Sequence, residues 1–130
     1  MNRRHLLDAS ALLALIFDEP GADTVREIIE DCRMHAVHLA EVLRKLVALG
    51  MPLDEVIARI ADLHLDLVEE LNAGHVNAIA RMTPESKRLG LSLGDCVCLV
   101  IAESLDLRAV TADRRWSEVR DRNLEILQIR

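Results

Sequence analysis

Apolar positions along this chain change repeatedly between two spacings. Short apolar runs, as in buried strands, are followed by longer stretches in which apolar residues recur as they do on one face of a helix. The pattern predicts strands at residues 4–8, 35–38, 65–69, 107–111 and 124–129. It predicts helices at residues 9–17, 23–31, 39–50, 53–63, 72–82, 96–105 and 113–119, and a loop or weak turn at 83–88.

Strands and helices therefore alternate through the whole chain. This order predicts an α/β fold with a mostly parallel central sheet that is covered by helices on both faces. The chain has 130 residues, of which 51% are hydrophobic. It is long enough for one domain with a substantial core and too short for two, so we expect a single domain over residues 1–130.

Composition limits the partners and the compartment. The net charge of −6 argues against purely electrostatic binding to nucleic acid or to an anionic membrane, although a local basic edge is compatible with it. The three cysteines include no C-x-x-C pair, which favours a reducing cytoplasm over a disulfide framework or a zinc knuckle. Asp8 interrupts the first apolar run, so we interpret that run as mature protein and expect no membrane segment.

Four carboxylates lie where an α/β fold collects its ligands. Asp8 and Asp113 each follow a predicted strand. Asp95 lies in the first turn of the helix before the strand at 107–111, and Glu41 lies in the first turn of the helix at 39–50. Because the carboxyl ends of parallel strands meet at one edge of the sheet, all four acids are expected there.

Each acid also has a purely structural explanation. Ser92 and Asp95 match the S-x-x-D capping box, and Asp8 and Asp113 can cap the helices that follow them. Glu41 has a lysine four residues on, as in a solvated ion pair. Taken together, however, four acids at one edge raise one another's pKa unless a cation lies among them. An all-carboxylate ligand set favours Mg²⁺ or Mn²⁺, whose waters are a starting point for hydrolysis.

Four segments carry a family resemblance: LLDASALLALIFDEPG from Leu6, HLAEV around Glu41, LGLSLGD ending at Asp95 and AVTADRRW ending at Trp116. Their order and spacing resemble the PIN-domain ribonucleases, and most of all the VapC toxins of bacterial toxin–antitoxin pairs. The resemblance covers essentially the whole chain. It implies a three-layer α/β/α fold, cleavage of RNA with Mg²⁺ or Mn²⁺, and a VapB-type antitoxin that blocks the site.

Site residues carry over from the family one by one. The family's acidic quartet, which is both catalytic and metal-binding, falls on Asp8, Glu41, Asp95 and Asp113. The resemblance implies that the first three hold a metal that polarises the phosphate and activates a water, whereas the fourth holds a second ion or orients that water. In-line attack would leave a 5′-phosphate and a 3′-hydroxyl without a covalent intermediate. Ser10 and Thr111 fall where hydroxyl residues support the site.

Two features depart from the family pattern. His35 and His38 replace small polar residues such as Ser and Asn, and the pair can be interpreted as structural, as contacting RNA or as a transition-metal site. Some relatives have another acid near the position of Trp116, which leaves open whether one or two ions bind. We expect Trp116 itself to pack in the core.

Basic residues flank the acidic motifs, which predicts a basic rim for RNA phosphates around an acidic centre. They are Arg3, Arg4, Lys87, Arg88, Arg114 and Arg115. The alternative is that they are ordinary solvated charges. Because Phe17 and Trp116 are the only aromatic residues, no stacking platform is available, and recognition is expected to depend on backbone and shape.

Other enzyme classes fit less well. A haloacid-dehalogenase phosphatase needs a second aspartate where Ser10 stands, and the glycine motifs of Rossmann and P-loop proteins are absent. The remaining alternative is an inactive PIN-like binding module that acts through protein or RNA contacts. From the resemblance we also expect a homodimer, and an exposed apolar groove beside the helices after Asp18 and Leu53 for the antitoxin.

Overall fold

A parallel five-stranded sheet lies at the centre of the computed structural model, which describes residues 2–120 and 122–130. The strands, which lie in the order β3-β2-β1-β4-β5, are β1 His5–Leu7, β2 Cys32–His35, β3 Asp66–Val68, β4 Arg108–Thr111 and β5 Ile126–Gln128. The helices are α1 Ala9–Ile16, α2 Ala22–Ile28, α3 Ala36–Ala48, α4 Leu53–Ala61, α5 Ala73–Arg81, α6 Thr83–Leu89 and α7 Leu93–Ser104, with 3₁₀ segments at Ile29–Asp31 and Arg114–Glu118. The predicted α/β fold with a parallel sheet is confirmed.

Helices cover both faces of the sheet. In β1, Leu6 packs against α5 and α7, whereas its neighbour Leu7 packs against α1 and α2 on the other face. In β4, Ala109 and Val110 repeat this division in register with β1. All four side chains are fully buried, as in parallel sheets that carry helices on both sides. The expected three-layer α/β/α arrangement is therefore confirmed.

The middle of helix α7 is buried on all sides, and its first turn is attached to this buried part. Residues 96–102 are consecutively buried, and Leu99 and Ile101 have no exposed surface. Burial of one such side chain contributes about 1.5–3 kcal/mol. Asp95, one residue before this stretch, is therefore attached to one of the most firmly packed elements of the fold.

The prediction of a strand at residues 35–38 is wrong. The strand is Cys32–His35, and α3 begins at Ala36. The charged Arg33 hides this strand in the sequence pattern. The His35 ring caps α3, because its Nδ1 accepts a hydrogen bond from the Val37 N–H at 3.1 Å. Helix α3 therefore starts three residues earlier than predicted, and Glu41 lies in its second turn rather than its first.

The prediction of a loop or weak turn at residues 83–88 is also wrong, since α6 occupies Thr83–Leu89. Pro84 lies in its first turn, where the fixed φ of proline favours a helix. Gly90 ends the helix with a φ of 70°, a left-handed conformation that suits glycine.

The remaining expectations concern cysteines and membranes. Cys32, Cys96 and Cys98 are free and buried. In the described ranges, every helix is too short or too polar to cross a bilayer.

Candidate functional site

The two strand-end acids lie at the same edge of the sheet. Leu7 and Val110 are partners in neighbouring parallel strands, so β1 and β4 end side by side. The Asp8 N–H donates to the Val110 carbonyl at 3.0 Å, and Asp113 follows β4 by two residues. We call this side of the sheet the carboxyl edge.

Asp8 is a buried carboxylate held by three donors. The Ala11 N–H donates to Oδ1 at 2.8 Å, so Asp8 is indeed the N-cap of α1. The Ser10 hydroxyl donates to Oδ1 at 2.7 Å, and the Thr111 hydroxyl donates to Oδ2 at 2.6 Å. Ser10 Oγ also lies 2.9 Å from Oδ2, so both oxygens of the carboxylate are in contact with hydroxyl groups.

The two hydroxyls are themselves fixed by the backbone. Ser10 Oγ accepts from the Ala112 N–H at 2.9 Å, and Thr111 Oγ1 accepts from the Asp113 N–H at 3.0 Å. Each hydroxyl therefore gives its proton to Asp8 and receives one from the loop after β4. The structure places the predicted supporting residues Ser10 and Thr111 directly around Asp8.

Burial raises the pKa of Asp8, and the hydrogen bonds from Thr111, Ala11 and Ser10 lower it again in part. No arginine or lysine forms an ion pair with Asp8 within the part of the chain that the structure describes. A buried carboxylate without a cationic partner is an unfavourable arrangement, and such groups are concentrated at functional sites.

Glu41 reaches the same edge from α3. Its carboxylate lies against Gly94 in the first turn of α7, where an added Cβ would collide with Glu41 Oε1. A glycine in a helix lowers its stability by about 1 kcal/mol relative to alanine, so Gly94 does not favour α7 by itself. The absent side chain leaves room for the Glu41 carboxylate against the first turn of α7. The solvated ion pair with Lys45 does not occur among the ion pairs of the described residues.

His38 connects the helices that carry Glu41 and Asp95. The buried ring donates from Nε2 to the Gly94 carbonyl at 2.8 Å, which ties α3 to the start of α7. His35 Nε2 meets the Glu70 carbonyl at 2.8 Å in the same way, and burial lowers its pKa. With both Nε2 atoms bonded to carbonyls, the structure supports the structural interpretation of the histidine pair.

Asp95 takes part in a capping box and is still accessible. Its N–H donates to Ser92 Oγ at 3.1 Å, and the Ser92 N–H donates to Asp95 Oδ2 at 2.8 Å. Asp95 Oδ1 receives no hydrogen bond from residues 2–120 or 122–130. The side chain is 20% exposed, so this oxygen is open to a ligand at the carboxyl edge.

Asp113 differs from the other three acids because Arg115 binds it. The Arg115 Nη2 lies 2.5 Å from Asp113 Oδ2, and Nε lies 3.0 Å from Oδ1. These hydrogen bonds lower the pKa of Asp113. The same Nη2 lies 3.8 Å from Asp95 Oδ2. The sequence pattern places Arg115 among the basic residues but gives no sign of this pairing.

The charges of Asp8, Glu41 and Asp95 all act on the same residue of α7, Cys98. After burial, the charges of Asp8, Asp95 and Glu41 are the influences that raise the pKa of the Cys98 thiol well above its usual value. Their donor chemistry fits a hard divalent ion such as Mg²⁺. As they stand, no three His, Cys, Asp or Glu side chains enclose an ion in the residues the structure describes. Arg115 binds the fourth acid, Asp113, and lies within ion-pair distance of Asp95.

The six basic residues of the predicted rim have different surroundings. Arg88 binds Glu85 at 2.6 Å and Arg115 binds Asp113, so both charges are used within the chain. Arg3 and Arg4 precede β1 and therefore lie at the opposite edge of the sheet, so they do not flank the acids. Lys87 and Arg114 are exposed near the carboxyl edge. Trp116 is fully buried, as expected.

Two positioning residues escaped the sequence reasoning. The sequence contains a sign of Gly94, because a glycine in the first turn of an apolar helix does not stabilise that helix. Its presence therefore indicates a close contact with another element. His38 gave a weaker signal, since only the three-dimensional structure shows that its ring reaches the Gly94 carbonyl.

Comparisons with known proteins bear on the fold and the family. A family model described as PIN domain matches residues 5–122. The comparison with curated proteins finds no match. Among solved structures, VapBC from Salmonella typhimurium bound to DNA is 14% identical with a TM-score of 0.68, and the alignment covers 100% of both chains.

Two further VapBC structures are similar. The Rickettsia felis complex bound to a promoter DNA fragment is 13% identical with a TM-score of 0.69, over 95% of this chain and 97% of that chain. VapBC-1 from nontypeable Haemophilus influenzae is 18% identical with a TM-score of 0.67, over 95% of this chain and 96% of that chain. At these identities the likeness is one of fold.

Proposed function

The chain belongs to the PIN-domain family, as its four motifs predicted, and from that premise we propose that it is a metal-dependent endoribonuclease and the toxin of a type II toxin–antitoxin pair. One observation carries the proposal. A buried Asp8 lies at the carboxyl edge without an arginine or lysine partner in the described residues. Glu41 reaches the first turn of α7, which carries Asp95. Such a set of carboxylates is suited to a divalent ion.

The proposed ion is Mg²⁺ or Mn²⁺, held by Asp8, Glu41 and Asp95. When bound there, it supplies Lewis-acid polarisation of the phosphodiester and activation of water. Ser10 and Thr111 hold the Asp8 carboxylate in one orientation, since each hydroxyl is itself fixed by a backbone N–H. Gly94 leaves room for the Glu41 carboxylate against the first turn of α7, and His38 ties α3 to that turn.

Asp113 is proposed to orient the attacking water rather than to hold a free charge. Its two oxygens already accept from Arg115, which fixes the carboxylate in place. For the RNA, we propose phosphate contacts from the exposed Lys87 and Arg114. Arg88 and Arg115 are less available for RNA, because each already binds a carboxylate.

An apolar groove supports the proposed VapB-type partner. It encloses about 220 Å³ and is lined by Met34, Leu39, Leu43, Ile57, Ile60, Ala61, Leu65 and Leu67. Ile57 and Leu67 are 47% and 40% exposed, as expected of a surface that an apolar segment covers. Three solved structures of similar fold are VapBC complexes. We propose that an antitoxin encoded beside this chain binds here, and that Ile57→Glu prevents its co-purification.

The test of the proposed activity is RNA cleavage by the purified chain with Mg²⁺ and with EDTA. Wild type should cleave only with the metal, and Asp95→Asn should lose cleavage. Asp106→Asn is a matched control, because Asp106 lies beyond α7 with a φ of 54° that asparagine also adopts, and it should cleave like wild type. Equal cleavage by Asp95→Asn and wild type would contradict the proposal.

The alternative of an inactive binding module is favoured by one observation, the neutralisation of Asp113 by Arg115. It predicts no Mn²⁺ binding at the carboxyl edge and no effect of Asp8→Asn on any activity. The family also leads us to propose a homodimer. Light scattering that shows a monomer at micromolar concentration would contradict the dimer.

A further inference from the structure

Arg115 is bound more completely than an ordinary surface arginine. Its Nη1 donates to the Gly90 carbonyl at 2.6 Å, while Nε and Nη2 form the two-pronged contact with Asp113. Its own N–H donates to Asp113 Oδ1 at 2.9 Å. A planar guanidinium matches a carboxylate in this geometry, whereas lysine offers only a point charge. The guanidinium therefore has a fixed place between the end of α6 and the loop after β4.

The place it occupies lies between two of the four acids. Asp113 is in direct contact, and Asp95 Oδ2 lies 3.8 Å from Arg115 Nη2. Both oxygens of Asp113 accept hydrogen bonds from Arg115, so few lone pairs remain for another ligand. A cation that approached Asp113 would also meet the positive guanidinium at close range, where like charges repel.

Gly90 shows that the chain is shaped around this contact. It adopts a φ of 70°, and a Cβ added there would lie 3.2 Å from Arg115 Nη1. The residue that ends α6 thus combines a left-handed backbone with a close approach to the guanidinium.

We propose that Arg115 is a built-in cation that stands where a second metal ion would bind, so that the centre takes one divalent ion through Asp8, Glu41 and Asp95. This inference rests on the proposed metal-dependent function and specifies its stoichiometry. Asp113 acts as a positioning residue, held by Arg115 rather than by an ion. The observation that carries it is the position of the Arg115 guanidinium, which binds both oxygens of Asp113 and lies 3.8 Å from Asp95 Oδ2.

Titration of the metal-free chain with Mn²⁺, followed by calorimetry and by electron paramagnetic resonance, tests this inference without RNA. Wild type should bind one ion per chain, and Arg115→Ala should bind two. Arg115→Ala combined with Asp113→Asn should return to one ion, because the second site then lacks its carboxylate. Arg114→Ala removes the same charge one residue away without touching Asp113, so it should bind one ion like wild type.

Arg115→Gln is a second variant that keeps an N–H donor for the Gly90 carbonyl and removes the charge, in case Arg115→Ala disturbs the loop. It should also bind two ions. Two ions in wild type, or one ion in both Arg115 variants, would overturn this inference and leave the proposed nuclease intact. No ion bound by wild type would instead overturn the proposed function, and this inference with it.

Discussion

The charged side chains at the two edges of the central sheet differ in whether they have partners of opposite charge. At the edge where the strands begin, which we call the amino edge, Arg4 Nε binds Asp31 Oδ2 at 2.6 Å. Arg3 donates to the Cys32 carbonyl at 2.8 Å. At the carboxyl edge, Asp8 is buried without such a cation among the described residues. Charges that are matched within the chain stabilise the fold, whereas an unmatched buried acid destabilises it and is retained for another reason.

Cavity volume alone would direct attention to the other edge. A cavity of about 620 Å³ lies at the amino edge and is lined by Arg4, His5, Asp106 and Arg108, among others. Two of its basic groups already have partners, since Arg108 Nε donates to His5 Nδ1 at 3.3 Å and Arg4 binds Asp31. The state of the charges therefore distinguishes the two edges better than the size of the space does.

The largest effect is expected from Asp8→Asn. Cleavage should fall by about 10²- to 10³-fold, a loss typical of removing one group that stabilises transition-state charge. In EDTA at pH 7, the same variant should unfold at a higher temperature than wild type, because a buried charge without a cationic partner is removed. A lower unfolding temperature would show that Asp8 is a stabilising structural residue.

The pH dependence of that difference follows from the pKa of Asp8. Burial raises the folded-state pKa above its unfolded value. The favourable contribution of this group is complete below the unfolded pKa and is lost as the pH rises through the folded pKa. Lowering the pH through the raised pKa should therefore bring the unfolding temperatures of wild type and Asp8→Asn together. A difference in unfolding temperature that stays constant with pH would contradict the raised pKa of Asp8.

Gly94→Ala is expected to have the next largest effect. The added Cβ displaces the Glu41 carboxylate, so cleavage should fall by about 100-fold. Stability should rise by about 1 kcal/mol, because alanine is the better helix residue. Gly74→Ala is the matched control, since Gly74 also follows the first residue of its helix and lies outside the site. Unchanged cleavage by Gly94→Ala would contradict the proposal that Glu41 takes part in cleavage.

Thr111→Val should have a smaller effect on cleavage, about 10-fold, because it acts through the orientation of Asp8. It deletes the 2.6 Å hydrogen bond to Asp8 and leaves the Asp113 N–H without its acceptor, at a cost of about 1–3 kcal/mol. Thr111→Ser keeps the hydroxyl and should restore most of the rate. Equal rates for the valine and serine variants would argue against this hydrogen bond.

The smallest effect is expected from Asp31→Asn at the amino edge, the counterpart of Asp8→Asn. It breaks the contact with Arg4, which is 78% exposed and therefore contributes little to stability. Cleavage should equal that of wild type, and the unfolding temperature should change only slightly. A loss of cleavage comparable with that of Asp8→Asn would remove the distinction between the two edges.

The sequence was sufficient for the parallel sheet apart from β2, and for the positions of Asp8 and Asp113 at its carboxyl edge. The apolar runs before Asp8 and Asp113 are buried on both faces, so their hydrophobic pattern marks the strand ends directly. The strand at 32–35 was misplaced because Arg33 interrupts its pattern and because His35 caps a helix with its ring, a role usually filled by Ser, Thr, Asp or Asn.

What the sequence could not predict depends on side chains that meet across the fold. Arg115 and Gly90 are 25 residues apart, and His38 and Gly94 are 56 residues apart. No local periodicity reports such contacts. The contacts of Arg115 with Asp113 and Gly90 depend on the position of the loop after β4 against the end of α6.

The most direct test of the account is the identity of the RNA ends that wild type produces. Water activated at the carboxyl edge should cleave RNA only after Mg²⁺ is returned to the EDTA-treated chain, and should leave 5′-phosphate and 3′-hydroxyl ends. Cleavage that continues in EDTA and leaves 5′-hydroxyl ends would mean that the RNA 2′-hydroxyl is the nucleophile. That result would contradict the metal centre at Asp8, Glu41 and Asp95.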